Sequence, residues 1–200
     1  MKRSVSIVAA LLISAVGSSC AQKTTSSPTR PKTAVRSYEL SPEMRKLEIY
    51  VGEWVYEGEQ VDPPVAGLPY GSAGKFSGTF TARFVLGGRF LEEKIVDKNP
   101  SGTNTNLAMN GYDAKAKNYF RNLYISDGSR DTSVRTVSPD GRTWTSHSTM
   151  ITSMGENVPI RTVIKFSPDG NRFEATGEVS PDNGNTWKHW FKDEAKKISK

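Results

Sequence analysis

One cysteine, two histidines and no acidic residue before Glu39 are the scarcities of this 200-residue chain, and each excludes something. With Cys20 the sole cysteine, no disulfide can staple the domain, which must therefore rest on a buried core. Two histidines and scattered acids make no zinc site at a recognised spacing. His-Glu-x-x-His, Gly-x-Ser-x-Gly and the phosphate-loop pattern are all missing, which removes the common metalloprotease, serine-hydrolase and nucleotide-binding signatures. Beyond the first residues no apolar run approaches the ~20 residues needed to span a bilayer. The net charge of +6 is also misleading: Lys2, Arg3, Lys23, Arg30, Lys32 and Arg36 all precede Glu39, and from Tyr38 onward 21 basic residues balance 21 acidic ones. A neutral domain lacks the basic face of a nucleic-acid binder, so no nucleic-acid partner is expected.

What is present begins with a targeting pattern. Met1-Lys2-Arg3, an apolar run from Ser6 to Val16 and the small residues Gly17-Ser18-Ser19-Cys20-Ala21 have the layout of a secretory signal peptide, assigned to residues 1–21. Ser19-Cys20-Ala21 suits ordinary signal peptidase. Cys20 also stands where a lipoprotein carries its acylated cysteine, although Gly17 replaces the leucine expected three residues earlier. Both readings stay open, so the exported protein is periplasmic or secreted, or tethered by lipid at Cys20. Residues 22–37 are rich in Ser, Thr, Pro and Lys and too poor in large apolar side chains to bury a core, which predicts a disordered spacer.

The domain proper is predicted over residues 38–195, with a basic tail at 196–200. Ser41-Pro42-Glu43 supplies an N-cap, a first-turn proline and an early acid, and Met44, Leu47 and Tyr50 follow at helical spacing. After Gly52 the period becomes two. Phe76, Gly78, Phe80, Ala82, Phe84 and Leu86 alternate with Lys75, Ser77, Thr79, Thr81 and Arg83, and similar rows run through 158–166 and 173–179. Turn signals such as Asp127-Gly128 and three Ser-Pro-Asp segments starting at Ser138, Ser167 and Ser180 separate about ten strands. No second helix is available for parallel crossovers, and closure removes exposed strand edges. The expected fold is all-β: a ten-stranded antiparallel up-and-down barrel with one short N-terminal helix.

Gly52-Glu53-Trp54, placed after the helix and opening the first strand, resembles the Gly-x-Trp of lipocalins and their calycin relatives, which implies that Trp54 plugs one barrel end. Leu86-Gly87-Gly88-Arg89-Phe90-Leu91, with Asn110-Gly111-Tyr112-Asp113 and the terminal Ser-x-Asp-x-Gly-x-Thr-Trp, is similar to a family of exported bacterial domains of unknown function. That resemblance implies a fold and no activity. Ser180-Pro181-Asp182-Asn183-Gly184-Asn185-Thr186-Trp187 matches the Asp-box hairpin of sialidase-like propellers, but the three Ser-Pro-Asp starts lack a steady period and read as hairpin turns.

Candidate ligand-binding residues are Trp54, Tyr56, Arg89, Tyr112, Tyr119, Arg121 and His189. Arg121 alternates with Tyr119 and Leu123 and so is expected to point inward, where it suits a carboxylate guest, or to be solvated if its short strand is flipped. His189 alternates with Trp187 and Phe191 and is expected inside the barrel, where a haem or small-ligand role is open to it. Otherwise no cofactor and no metal are expected. His147 should face solvent, and adjacent Glu92 and Glu93 should point to opposite faces. The leading expectation is a non-enzymatic barrel that binds a small apolar, lipid-like or anionic ligand. A cell-envelope interaction module with a solid-packed barrel is the alternative, and third comes a barrel isomerase or hydrolase using Glu93 or His189 with Arg121.

Overall fold

The computed structural model describes residues 39–199, Tyr70 apart. The signal peptide, Cys20 and the spacer over residues 22–37 lie outside the described residues. A single turn of helix, α1 (Pro42–Lys46), starts where Ser41 Oγ accepts a hydrogen bond from Met44 N at 3.2 Å, and it runs into a 3-10 turn over Leu47–Tyr50. Ten strands follow: β1 (Gly52–Gln60), β2 (Gly74–Val85), β3 (Phe90–Asn99), β4 (Gly102–Asp113), β5 (Asn118–Ile125), β6 (Arg130–Val137), β7 (Thr143–Ile151), β8 (Asn157–Phe166), β9 (Arg172–Val179) and β10 (Lys188–Ser199). Each pairs antiparallel with its sequence neighbour, and β1 pairs with β10, so the sheet closes in simple meander order. No strand edge is left for another chain to extend.

Two expectations about boundaries change. β10 continues through Ser199, and Lys196 and Lys197 pair with Val55 and Trp54, so residues 196–199 are barrel wall and not a basic tail. Leu86 does not extend the inward row of β2. It sits at φ 51° in the turn with Gly87 (φ 69°) and Gly88 (φ 83°), and is 69% exposed.

The interior holds two apolar layers. The first closes the end where odd-numbered strands begin: Met44, Leu47 and Tyr50 of the helical segment press onto Trp54, Phe80, Leu91, Tyr119, Trp144 and Phe166. The Trp54 indole is fully buried, donates to Tyr50 O at 2.8 Å and stacks on Phe80 at 5.6 Å between centroids. Tyr119 Oη donates to Glu43 O at 2.9 Å, which pins the helix across the opening. The second layer, near the other end, joins Leu68, Ala108, Ile125, Met150, Val158, Val179 and Trp190. Leu68 belongs to the β1–β2 connection, whose backbone is held by Gln60 Nε2 donating to Ser72 O at 2.7 Å.

The Ser-Pro-Asp turns are self-capped hairpins. Ser138 Oγ and Ser167 Oγ accept from Thr143 N (2.9 Å) and Arg172 N (3.0 Å), while Asp182 Oδ1 accepts from Thr186 N at 2.7 Å. Trp144, after the first turn, is fully buried, whereas Trp187, after the third, lies under the Arg161 guanidinium at 4.5 Å and is only partly covered. Trp187 therefore does not pack into the barrel core as Trp144 does. Among the described residues no helix is long and apolar enough to cross a membrane.

Candidate functional site

Between the two apolar layers the barrel holds a partly open cavity of about 230 Å³. Its wall is two-sided. Strands β3 and β5 to β7 contribute Glu93, Asp97, Arg121, Asp131, Ser133, Arg135, Ser146 and Ser148, while β8 to β10, β1 and β2 contribute mainly Ile160, Ile164, Phe173, Trp190, Phe191, Tyr56, Phe76 and Phe80. Asp193 is the one ionisable carboxyl on the apolar side among the described lining residues.

The polar side is a hydrogen-bonded network. Glu93 (5% exposed) accepts from Arg121 Nη2 at 2.9 Å through Oε2 and from Asn110 Nδ2 at 2.9 Å through Oε1. Arg135 (2% exposed) donates through Nη1 to Asn110 Oδ1 at 2.8 Å and through Nη2 to Tyr50 Oη at 2.5 Å. Its guanidinium also lies 5.1 Å from the Tyr50 ring centre and 5.2 Å from that of Trp144. Burial alone would raise the Glu93 carboxyl, but the charges of Arg121 and Arg135 and the hydrogen bonds outweigh it and hold Glu93 below its ordinary range. Burial pushes the Tyr50 phenol up to about 12, against the pull of Arg135.

The other acids behave in the opposite way. Burial raises Asp97 to about 6 despite the Asn106 amide donating to it and the charge of Arg121. Burial likewise raises Asp131, against a bond from Ser148. Asp193 is raised to about 7 by burial and by the negative charge of Asp97, and its sealed Oδ1 accepts no hydrogen bond from the described residues. The cavity thus carries four acids and two arginines, and the arginines already have protein acceptors.

Three inward glycines shape this wall. Gly58, Gly78 and Gly177 have ordinary strand backbone, yet a Cβ on them would lie 2.7 Å from Asp193 Cβ, 2.3 Å from Tyr56 Oη and 2.0 Å from Phe191 Cε1 respectively. Their missing side chains are the space over which Asp193, Tyr56 and Phe191 lean.

Of the residues picked from sequence, Tyr56 and Arg121 line the cavity. Arg121 points inward, but to Glu93, so its charge is already countered and a carboxylate guest would meet an occupied partner. Trp54, Tyr112 and Tyr119 belong to the closed end: Trp54 and Tyr119 are buried there, and Tyr112 packs on Tyr119 at 5.1 Å. Arg89 is exposed beside the Gly87-Gly88 turn. His189 is exposed and outside the cavity. The register shifts between His189 and Phe191, so a bulge puts both Trp190 and Phe191 on the inner face and turns His189 out, which removes the geometry a haem ligand needs. His147 is exposed, facing away from Trp144. Sequence reasoning missed Asp97, Asp131, Arg135 and Asp193. Their positions do obey alternation, with Asp97 two and four residues beyond Ile95 and Glu93, and Asp131, Ser133 and Arg135 forming one inward row. Among the described residues no group of three or more His, Cys, Asp or Glu side chains is placed to hold a metal ion.

A closed ten-stranded meander, plugged by an N-terminal helix and hollow at its middle, defines a calycin-like barrel. Residues 39–197 match the family described as protein of unknown function DUF1579, and the chain belongs to that family. Among solved structures it is similar to the crystal structure of Rv2717c from M. tuberculosis, with 13% identity, a TM-score of 0.58, and 80% of this chain and 99% of that chain covered. It also matches the structure of EF1p2_mFAP2b bound to DFHBI, with 12% identity, a TM-score of 0.36, and 77% and 98% of the two chains covered. No curated protein matches.

Proposed function

We propose that this is an exported, non-enzymatic barrel whose task is to hold a small ligand with an apolar body in its central cavity. The observation that carries the reading is the cavity of about 230 Å³ with one hydrogen-bonding wall and one aromatic wall. An apolar cavity of about 150 Å³ is enough to take up benzene, so this volume suits a single aromatic ring with a short tail. Small-molecule sites combine an apolar lining with a few placed polar groups, as here. Export is supported by the amino-terminal pattern through Cys20, which leaves the protein free or lipid-tethered outside the cytoplasm.

Glu93 and Arg121 do meet within hydrogen-bond reach, as an isomerase or hydrolase would require, but they neutralise each other and His189 is not beside them. A surface-acting envelope module with a solid barrel has less support, because the phenylalanines leave the middle empty. The test is native mass spectrometry of protein purified from its own host, with denaturing extraction of any guest. A stoichiometric adduct under 300 Da or so is the expected result. A mass equal to the bare chain, with no guest recovered and no small aromatic able to raise the melting temperature, would overturn the reading.

A further inference from the structure

Asp193 is an anomaly within its own wall. Among the described residues the aromatic half of the cavity offers it no cation and no hydrogen-bond donor reaches its Oδ1, and its ladder partners are the small residues Gly58 and Ala175. Gly58 has no backbone need to be glycine, since its φ is ordinary for a strand. A Cβ there would collide with Asp193 Cβ at 2.7 Å and Lys192 O at 2.3 Å. The β1–β10 pair is thus drawn tight at Asp193, whose Oδ1 meets no donor among the described residues. Holding a carboxyl away from water without a countercharge is costly, and a guest that brings a positive charge into the cavity beside Asp193 would offset that cost.

The charges facing Asp193 narrow the partner. From β3 come Glu93 and Asp97, from β5 Arg121, and from β6 Asp131 and Arg135; the described lining residues of β2, β7, β8 and β9 bring no charge. Arg121 and Glu93 cancel, and Arg135 is held by Asn110 and Tyr50, so what remains nearest to Asp193 in effect is the negative charge of Asp97. Phe76 and Phe191 meet edge to face at 6.4 Å beside it, a surface that attracts cations as well as rings.

We propose that the cavity is a receptor for a small organic ammonium: the charged nitrogen is taken by Asp193 with Asp97, and the apolar body lies against Phe76 and Phe191. This deepens the ligand-binding reading above and rests on it. A guest cation favours ionised aspartates, so uptake of one should tighten as the pH rises through the neutral region where Asp193 titrates.

The test compares three near-isosteric probes, phenethylamine, 2-phenylethanol and 3-phenylpropionate, by calorimetry on the full mature protein at about pH 5.5 and about pH 8. The amine should bind at the higher pH roughly tenfold or more tighter than the alcohol, and its lead should shrink to about threefold or less at the lower pH. Asp193→Asn should abolish the amine's lead and leave alcohol binding within about twofold of the parent, and Asp97→Asn should reduce the lead in part. Equal affinity for all three probes, or tightest binding of the phenylpropionate, would overturn the ammonium site while keeping the cavity reading. Failure of all three to bind would remove both.

Discussion

Replacing Asp193 by asparagine should change how stability depends on pH. The Asp193 carboxyl is raised from 3.8 to about 7, chiefly by burial and then by Asp97. Above 3.8 the unfolded chain releases this proton while the folded protein keeps it until about 7, so the folded state binds more protons and stability falls as pH rises through that window. At 1.36 kcal/mol per pH unit the full loss is about 4 kcal/mol, of which roughly 2.5 kcal/mol falls between pH 5 and pH 8. Asp97, raised to about 6, contributes in the same direction, but the repulsion between the two acids enters both values and their losses do not simply add. The asparagine side chain would itself leave a buried amide short of partners, at about 1–3 kcal/mol that does not vary with pH. The informative measurement is therefore urea unfolding of both proteins at several pH values from 5 to 8. The parent should lose stability along the series, and the difference between variant and parent should move in the variant's favour by about 2–3 kcal/mol. Parallel profiles for the two proteins would refute the assignment of a raised, uncompensated carboxyl at this position.

Glu93→Gln should be the opposite case, since it strips the countercharge from Arg121 and Arg135 and should destabilise the barrel by about 3–5 kcal/mol in denaturant titration. In the parent, the stability that Glu93 brings is present above 4.5 and fades as pH falls through its depressed folded value, which acid titration of the two proteins would compare. Gly78→Ala places a Cβ 2.3 Å from Tyr56 Oη and 2.4 Å from Val96 O; overpacking of about 1–3 kcal/mol and displacement of Tyr56 into the cavity should appear as a lower melting temperature and weaker ligand uptake. Trp54→Ala should cost about 3–5 kcal/mol by emptying the closed end, read as a lower urea midpoint with an unchanged slope.

Legibility differed by layer. The helix cap at Ser41 and the inward row from Phe76 to Phe84 were readable, because each depends on contacts within a few residues or on strict alternation, whereas the place of Trp54 at one barrel end was implied by the resemblance of Gly52-Glu53-Trp54 alone. His189 was misread for a local reason: one extra residue near the start of β10 reverses every parity after it, and no turn residue marks the bulge. The cavity acids were unreadable for a different one. Asp97, Asp131 and Asp193 look like surface residues of three separate strands, and polar residues on an inward row resemble polar residues on an outward one.

By itself the sequence determined which residues alternate, where the chain turns and that a neutral, disulfide-free meander must find its stability in a closed sheet. Only the tertiary structure decided which charges meet. Glu93, Arg121 and Arg135 lie on three strands, and Asp193 comes beside the inward gap at Gly58 through the β1–β10 closure that joins the two ends of the domain. Pairing strengths in a low-dielectric interior depend on distances between residues far apart in the chain, which local patterns do not encode.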